Sequence, residues 1–540
     1  MLKLAFLPRP CSSHWVYRRR TPPSGILSSP DSIITGFHPD PSCIFVPELD
    51  DTWFCASSSF LAFPGLPIHA SRDLVYWKHS TGGIYAPTLR FRGGIFYLMT
   101  TLVNQQLPRV NDSRWDNSLV TTEDPYSSEA WSDPVHFSFP GFDPSPFWDD
   151  DGTTYVSGAH TAAYCPGIMH APLDLETGEI GNILMPCHRM ERGRDGWYYM
   201  LAAEGGTREN HMVTMARSRN LQGPFEPAPA NPLLTAANDT STYFQAVGHA
   251  DLFQDANGRW WAVALAVRAG GSYGEAPYFA NFPLGRETVL TPVTWEEGGW
   301  PVFTPVSGEV SGWTLPAEEI PGQGEGQLSD ADDSVTFPPG SPLPIHFVRW
   351  RLPTARNYAV SPPGHWNTLA LKSSVLNLTG FDGDYALRRG QTFVGRRMAH
   401  SLFRFRIDVD WTSSLTKEEM EVGVWAIQDQ AQHFDLGIVL LKPSQEDNTS
   451  SASSEAYPLL DTHFAFSAGP AGKETEIRVF GYCRGDELVP YYSGLVLGVY
   501  ATSNGRHGER ASETYVSNWQ YTGLRQFRSQ EDVDDADREA

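Results

Sequence analysis

The chain has 540 residues, 41% hydrophobic and 19% charged, with 48 glycines and 42 prolines. That length fits three or four domains, or fewer and larger all-β ones, and the composition excludes a mostly disordered chain while favouring turns and short strands over long helices. The net charge of −23 sets no nucleic acid and no membrane as partners, since such a surface repels phosphates and anionic lipid, and no apolar run approaches the roughly 18 residues of a bilayer span.

Residues 1–30 contain no Asp or Glu and carry a basic cluster at Arg18, Arg19 and Arg20. The apolar stretch 4–7 stops at Pro8, short of the roughly 7–15 apolar residues of a secretory core. The expectation over 1–30 is an unstructured arm, with extracellular and cytoplasmic locations both open. The six cysteines, at 11, 43, 55, 165, 187 and 483, are too few and too scattered for a disulfide scaffold or a thiolate zinc site. Cys43 and Cys55 are spaced to face each other on neighbouring strands, as a disulfide or as a buried thiol pair.

From residue 31 to 315 one pattern recurs. A small polar cluster leads into an apolar strand, a turn at Gly, Asp or Asn, and a return strand with paired aromatics. The copies open at Asp40, Ala86, Asp143 and His249, and their aromatic pairs are Trp53-Phe54, Phe96-Tyr97, Thr154-Tyr155 (one aromatic only) and Trp260-Trp261. A further copy shows only its second half, Asp195-Gly196 followed by Trp197-Tyr198-Tyr199. Successive aromatic pairs are 43, 58, 43 and 63 residues apart. Asp-Gly and Asn-Gly between apolar runs mark hairpins, because type I′ turns need positive φ. Hairpin repeats at this period predict blades, and five copies predict a five-bladed β-propeller.

Residues 316–345 are rich in Pro, Gly and acids and read as a linker. Strand-like runs at 401–410, 434–441, 476–480 and 495–500 predict an antiparallel β-sandwich over 346–527. An acidic tail closes the chain over 528–540 and reads as disordered. The predicted class is all-β, a propeller followed by a sandwich.

In a propeller the first strand of each blade lines the axis, so the four opening residues should meet at one end of a shared funnel. Two carboxylates, Asp40 and Asp143, would then converge with His249. Paired carboxylates across a cleft suit glycoside hydrolysis, one activating water and one assisting the leaving oxygen. Gly270-Gly-Ser272-Tyr-Gly274 matches the Gly-x-Ser-x-Gly spacing but has no following helix, and reads as a loop. Asp149, Asp150 and Asp151 read as a hairpin turn. No metal set and no cofactor are expected.

Several longer motifs resemble glycoside hydrolase family 43, in its fungal β-xylosidase and α-L-arabinofuranosidase-like branch. They are Gly36-Phe-His-Pro-Asp40-Pro-Ser42, the stretch from Ser58 through Phe60 to His69, Gly83-Ile-Tyr85-Ala86-Pro87, Gly141-Phe-Asp143-Pro-Ser-Pro-Phe147, Ala203-Glu-Gly-Gly206, Gly248-His-Ala-Asp251 and Pro283-Leu-Gly-Arg286-Glu-Thr288. The resemblance runs over roughly 33–527 and implies a concanavalin A-like sandwich after the propeller. It also implies an inverting mechanism on xylo-oligosaccharides or arabinose-substituted saccharides. Carried over by position, Asp40 corresponds to the general base. Asp143 corresponds to the carboxylate that tunes and orients the acid, and Arg286 to a guanidinium on the innermost sugar. His249 falls at the family's central histidine, and Phe60, Tyr85 and Ala86 wall the sugar pocket.

The resemblance breaks at one critical place. The family's general acid is a Glu in Glu-Gly-Pro-His opening the fourth blade, and here that stretch reads Leu184-Met-Pro-Cys187-His-Arg-Met-Glu191. The repeat agrees: counting back 12 residues from Tyr198, as in copies three and five, reaches Pro186. Glu191 is out of register and flanked by arginines. A second short loss follows Trp77-Lys-His-Ser80. Both read either as errors in the gene's reading frame assembly or as decay of a paralogue. Severely reduced activity on xylobiose is predicted, with more retained on aryl glycosides. The alternative is a catalytically inactive carbohydrate-binding propeller, and a protein-interaction scaffold stands third.

Overall fold

In the computed structural model the described residues are 2–6, 29–81, 85–104, 107, 111–160, 167–183, 189–192, 196–239, 242–268, 284–310, 323–324, 326–378, 390–410, 415–430, 433–441, 463–467, 476–484, 494–505, 512–529 and 531–532. They form two units, one of residues 18–60, 65–329 and 527–540, the other of residues 1–17, 61–64 and 330–526.

The first unit is a set of antiparallel sheets that follow the sequence repeat. Blade one comprises Ser42–Val46, Thr52–Ala56, Ile68–Ser71 and Lys78–Thr81. Blade two comprises Tyr85–Arg92, Ile95–Val103, Trp115–Thr122 and Val135–Phe137. Blade three comprises Phe142–Trp148, Thr154–His160 and Gly167–Pro172. Blade four comprises Arg189–Arg192, Tyr198–Glu204, Met212–Ser218 and Glu226–Pro227, with Leu234–Thr235 added. Blade five comprises Phe244–Gln254, Trp260–Arg268, Arg286–Thr294 and Val302–Phe303. First strands neighbour one another around a ring, blade four reaching blade five through its second strand, and the first strand of blade five returns to that of blade one.

Period-two alternation explains why the blades stack. In blade one Cys43, Trp53 and Cys55 point to one side and pack with Trp261, Val263 and Leu290 of blade five. Their neighbours Phe54 and Ala56 point to the other side and pack with Leu89, Phe96 and Leu98 of blade two. The paired aromatics therefore serve two interfaces at once, and burying each such ring stabilises by roughly 2–3 kcal/mol. The turn residues Gly93 and Gly94 both take the positive φ that a two-residue hairpin demands. Cys43 and Cys55 are register partners and form a disulfide inside the first of these cores. At the Asp149–Gly152 turn, Asp149 and Asp151 accept from the backbone N–H groups of Asp150 and Thr153, so these acids cap their own hairpin.

Ring closure uses the chain start. Ser32–Ile34 pairs with Arg286–Thr294 of blade five, and Asp31 Oδ2 accepts from the N–H groups of Ser307 and Gly308 at 2.7 Å each. Beside it the Arg268 guanidinium grips Glu287, both wholly buried, while Glu287 Oε1 also accepts from Ser32 Oγ and Gly36 N. Arg268 Nη1 further donates to the Phe527 carbonyl, so the last stretch of chain is bound into the same closure.

The second unit contains two six-stranded antiparallel sheets. One runs Leu2–Phe6, Leu402–Asp410, Glu513–Arg525, Leu369–Lys372 and Tyr358–Val360, with Asp333–Val335 also on Glu513–Arg525. The other runs Thr392–Arg397, Val496–Thr502, Glu421–Ile427, His433–Leu441, Glu476–Arg484 and His463–Ser467. All four runs singled out in the sequence are strands here. The sheets are joined at Asp333, which meets Arg396 at 2.9 Å and accepts from Trp519 Nε1.

Two stretches differ from the expectation of unstructured chain. Leu2–Phe6 is a strand on the edge of Leu402–Asp410, whose open N–H and C=O groups template a further strand. Asp333–Val335 lies inside the region expected as a linker; Pro, Gly and acid content hides a three-residue strand that only its partner stabilises. Residues 7–28, the Gly270–Gly274 motif and the opening of blade four at 184–188 lie outside the described residues.

Candidate active site

The opening residues share a left-handed backbone state that is uncommon outside glycine, though Asp and His enter it more readily than Ala. Asp40, Ala86, Asp143 and His249 have φ of 53°, 29°, 56° and 50°. In three blades the pairing slips by one residue at this point, between Tyr85 and Thr88, between Phe142 and Ser145, and between Gly248 and Asp251. In blade one Asp40 lies two residues before the first pair, Ser42 with Ala56. A bulge with a left-handed residue re-aims the side chain at the end of a strand, and each costs on the order of 1–3 kcal/mol without glycine. Four strained openings at one repeat position mark a site rather than a packing accident.

Asp40 is 5% exposed. Its Oδ2 accepts from Ser58 Oγ at 2.7 Å, and Ser58 Oγ in turn accepts from the Ala86 N–H at 2.6 Å. Ser58 N donates to the Pro39 carbonyl at 2.8 Å, which locks the serine beside the carboxylate. Asp40 Oδ1 stands 3.6 Å from His249 Nδ1. The openings of blades one, two and five are thus linked through Ser58 and His249. A second tier lies one step deeper. Ser42 Oγ donates to Asp251 Oδ2 at 2.5 Å, and Arg90 holds both oxygens of Asp251 at 2.9 and 3.2 Å. Leu89 N donates to Ser42 Oγ, so the three first strands are cross-tied below the bulges.

Asp143 is half-buried at the same bulge of blade three. Arg286 is 4% exposed and its Nη2 donates to the Thr207 carbonyl at 2.8 Å. Phe60 also has positive φ, 46°, and stacks on Phe37 with ring centres 5.6 Å apart. Tyr85 begins the first strand of blade two, directly before Ala86, and its side chain lies outside the described residues. Glu191 pairs with Tyr199 along Arg189–Arg192, and its side chain lies outside them too.

Two residues of this neighbourhood escaped the sequence reading. Ser58 carried no signal beyond its place in a resembling motif. His211, at the end of the loop after Tyr198–Glu204, is buried, and its Nδ1 lies 3.2 Å from the Glu204 carbonyl. Burial first, then the charges of His249 and Arg286, push its imidazole down to about 4, with Asp40 opposing. A ring beside a histidine and a guanidinium stays uncharged near neutral pH.

The model of glycosyl hydrolases family 43 matches residues 30–183 and 191–301, and the interruption falls on the opening of blade four. The chain is 29% identical over 526 residues to the non-reducing end alpha-L-arabinofuranosidase BoGH43B of Bacteroides ovatus, covering 88% of this chain and 91% of that one. It is 28% identical over 515 residues to a xylosidase/arabinosidase of Butyrivibrio fibrisolvens, covering 87% and 88%. The solved structure described as Bacteroides ovatus Xyloglucan PUL GH43B superposes with a TM-score of 0.69 at 26% identity, over 92% of this chain and all of that one. The strained carboxylate openings and these matches agree: the chain belongs to glycosyl hydrolases family 43 and is a glycosidase.

Proposed function

We propose that the protein cleaves xylosidic or arabinofuranosidic bonds in hemicellulose-derived saccharides, with inversion at the anomeric carbon and with an impaired proton donor. The observation that carries this reading is the Asp40 carboxylate, strained into position and held by Ser58 through one oxygen. Its other oxygen takes a proton from a water as that water's oxygen attacks the anomeric carbon. The bond from that carbon to the leaving oxygen breaks on the opposite side. Arg286, fixed by the Thr207 carbonyl, binds the sugar. Asp143 holds the position from which the family's second carboxylate orients and tunes its donor, and here it has no glutamate in that register to act on. Phe60, Tyr85 and Ala86 shape the pocket wall.

Without that donor an alkoxide leaves with help from water alone, and general acid catalysis contributes typically about 10²–10⁴-fold. Phenolates leave unaided. A nitrophenyl xyloside or arabinofuranoside should therefore be hydrolysed, with the initial product anomer inverted by NMR, while xylobiose turns over slowly. Asp40→Asn should abolish both, with the fold intact by circular dichroism. Full activity of Asp40→Asn, or near-normal xylobiose turnover by the unaltered chain, overturns the assignment. The second reading, a carbohydrate-binding propeller without catalysis, is favoured by the family match breaking off at 184–190. Xylobiose binding with no aryl glycoside hydrolysis would select it.

A further inference from the structure

We propose that His211 is a positioning residue: its imidazole plane seats Gly248 and thereby fixes the His249 bulge against the Asp40 carboxylate. This rests on the reading of Asp40 as the catalytic carboxylate.

The loop that carries His211 is pinned before the ring is considered. Gly205 and Gly206 have φ of 76° and 82°, and a Cβ on Gly205 would run into the Asn210 carbonyl. His211 N donates to the Arg208 carbonyl at 2.8 Å, and the His211 carbonyl accepts from Thr235 Oγ1 at 2.8 Å. The ring is held by the Glu204 carbonyl and by a backbone hydrogen bond at Gly206. Nδ1 faces the Glu204 carbonyl, and a carbonyl only accepts, so Nδ1 carries the hydrogen and Nε2 the lone pair.

The other side of the ring meets blade five. A Cβ on Gly248 would overlap the Cγ, Cδ2 and Nε2 atoms of His211, far inside any real contact. Gly248 is not among the residues of positive φ, so glycine is needed there for room and not for backbone freedom. The next residue is His249, with its left-handed φ and its Nδ1 at 3.6 Å from Asp40. The same loop gives the Thr207 carbonyl to Arg286. One hairpin of blade four therefore holds both the sugar-binding guanidinium and the bulge that backs the base. The charged and titratable groups that act on the ring are His249, Arg286 and Asp40, and the first two oppose a positive charge on it.

The test exploits the contact's reciprocity. His211→Ala and Gly248→Ala should each lower kcat/KM on a nitrophenyl glycoside by about 10- to 100-fold, as small displacements at a reacting centre do. The double variant, in which the new methyl occupies the vacated space, should be no worse than either single one. His211→Asn keeps a donor for the Glu204 carbonyl and serves if the alanine variant folds poorly. The single variants should also move the acid limb of the kcat/KM profile, with the melting temperature little changed. Losses that multiply in the double variant, or a fall in activity that simply tracks melting temperature, overturn the proposal. An independent readout needs no turnover. In nitrogen-15 spectra of histidine-labelled protein, His211 should show the Nδ1–H tautomer, and the His249 ring signals should shift in His211→Ala. An Nε2–H tautomer or an unmoved His249 overturns it. If the unaltered chain is inactive while these spectral results hold, the functional reading fails and the positioning contact stands.

Discussion

Blade one and blade four are built on the same antiparallel ladder, yet their opening sequences differ, Asp40-Pro-Ser42 in one and Leu184-Met-Pro-Cys187-His188 in the other. In blade one Ser42 pairs with Ala56, and two residues upstream Asp40 meets Ser58 across the same register. In blade four Arg189 pairs with Leu201, and among the described residues the first strand covers Arg189–Arg192 while the return strand runs on to Glu204. The blade is nonetheless anchored. Tyr198 and Met200 pack on Phe147 of blade three, and Tyr198 OH donates to Asp149. The core contacts of the blades come from first and return strands alike, with Cys43, Leu89 and Phe147 on first strands. The opening residues precede these ladders, so a change of sequence there leaves the packed strands in place.

The comparison can be broken most forcefully by making the two blades alike. Grafting Glu-Gly-Pro-His into the opening of blade four, in place of residues 184–188, should raise xylobiose turnover by about 10²-fold or more. Nitrophenyl glycoside hydrolysis should change far less. An equal effect on both substrates would show that the missing segment does something other than donate a proton.

A smaller effect sharpens the blade-one side. Ser58→Ala removes a hydrogen bond to a carboxylate and the link to the Ala86 N–H. With such bonds worth roughly 1.5–3 kcal/mol, kcat/KM should fall about tenfold or more. The melting temperature, followed by calorimetry, should barely move. A large drop in stability with unchanged activity would place Ser58 in the fold and not in the site.

The smallest effect concerns acid stability. His170 of blade three is fully buried, neither ring nitrogen has a hydrogen-bond partner, and burial lowers its pKa from 6.5 to about 4. The unfolded chain takes up this proton first, so the histidine's contribution is intact above pH 6.5 and is lost as pH falls towards 4. Asp31 acts oppositely: burial raises it to about 6, so its contribution is present below pH 3.8 and is lost as pH rises through 6. His170→Phe should raise the melting point modestly at pH 7.5, corresponding to about 1 kcal/mol, and more at pH 4.5. An unchanged gap between the two pH values would contradict the histidine's assignment.

The blade ladders were legible because alternation and Asp-Gly or Gly-Gly turns are local signals. The convergence of Asp40, Ala86 and His249 was readable from repeat position alone. Their common left-handed backbone was not, since even Asp and His, which enter that region more readily than Ala, do so in only a small share of positions. Leu2–Phe6 and Asp333–Val335 were invisible because each is a strand only by virtue of a partner hundreds of residues away. The Arg268–Glu287 pair and the seating of His211 on Gly248 were missed because each joins different strands or blades at a register that no local pattern announces.

Sequence by itself determined the all-β class and the hairpin period. Those follow from residue type at fixed spacing, which short-range sterics and hydrophobic alternation translate directly into strands and turns. Tertiary structure alone decided which serine would hold Asp40, which glycine would make room for an imidazole, and how the ring closes on Asp31. Such contacts depend on strand register within a blade, as for Asp40 and Ser58, or on the packing of one blade against another, as for His211 and Gly248.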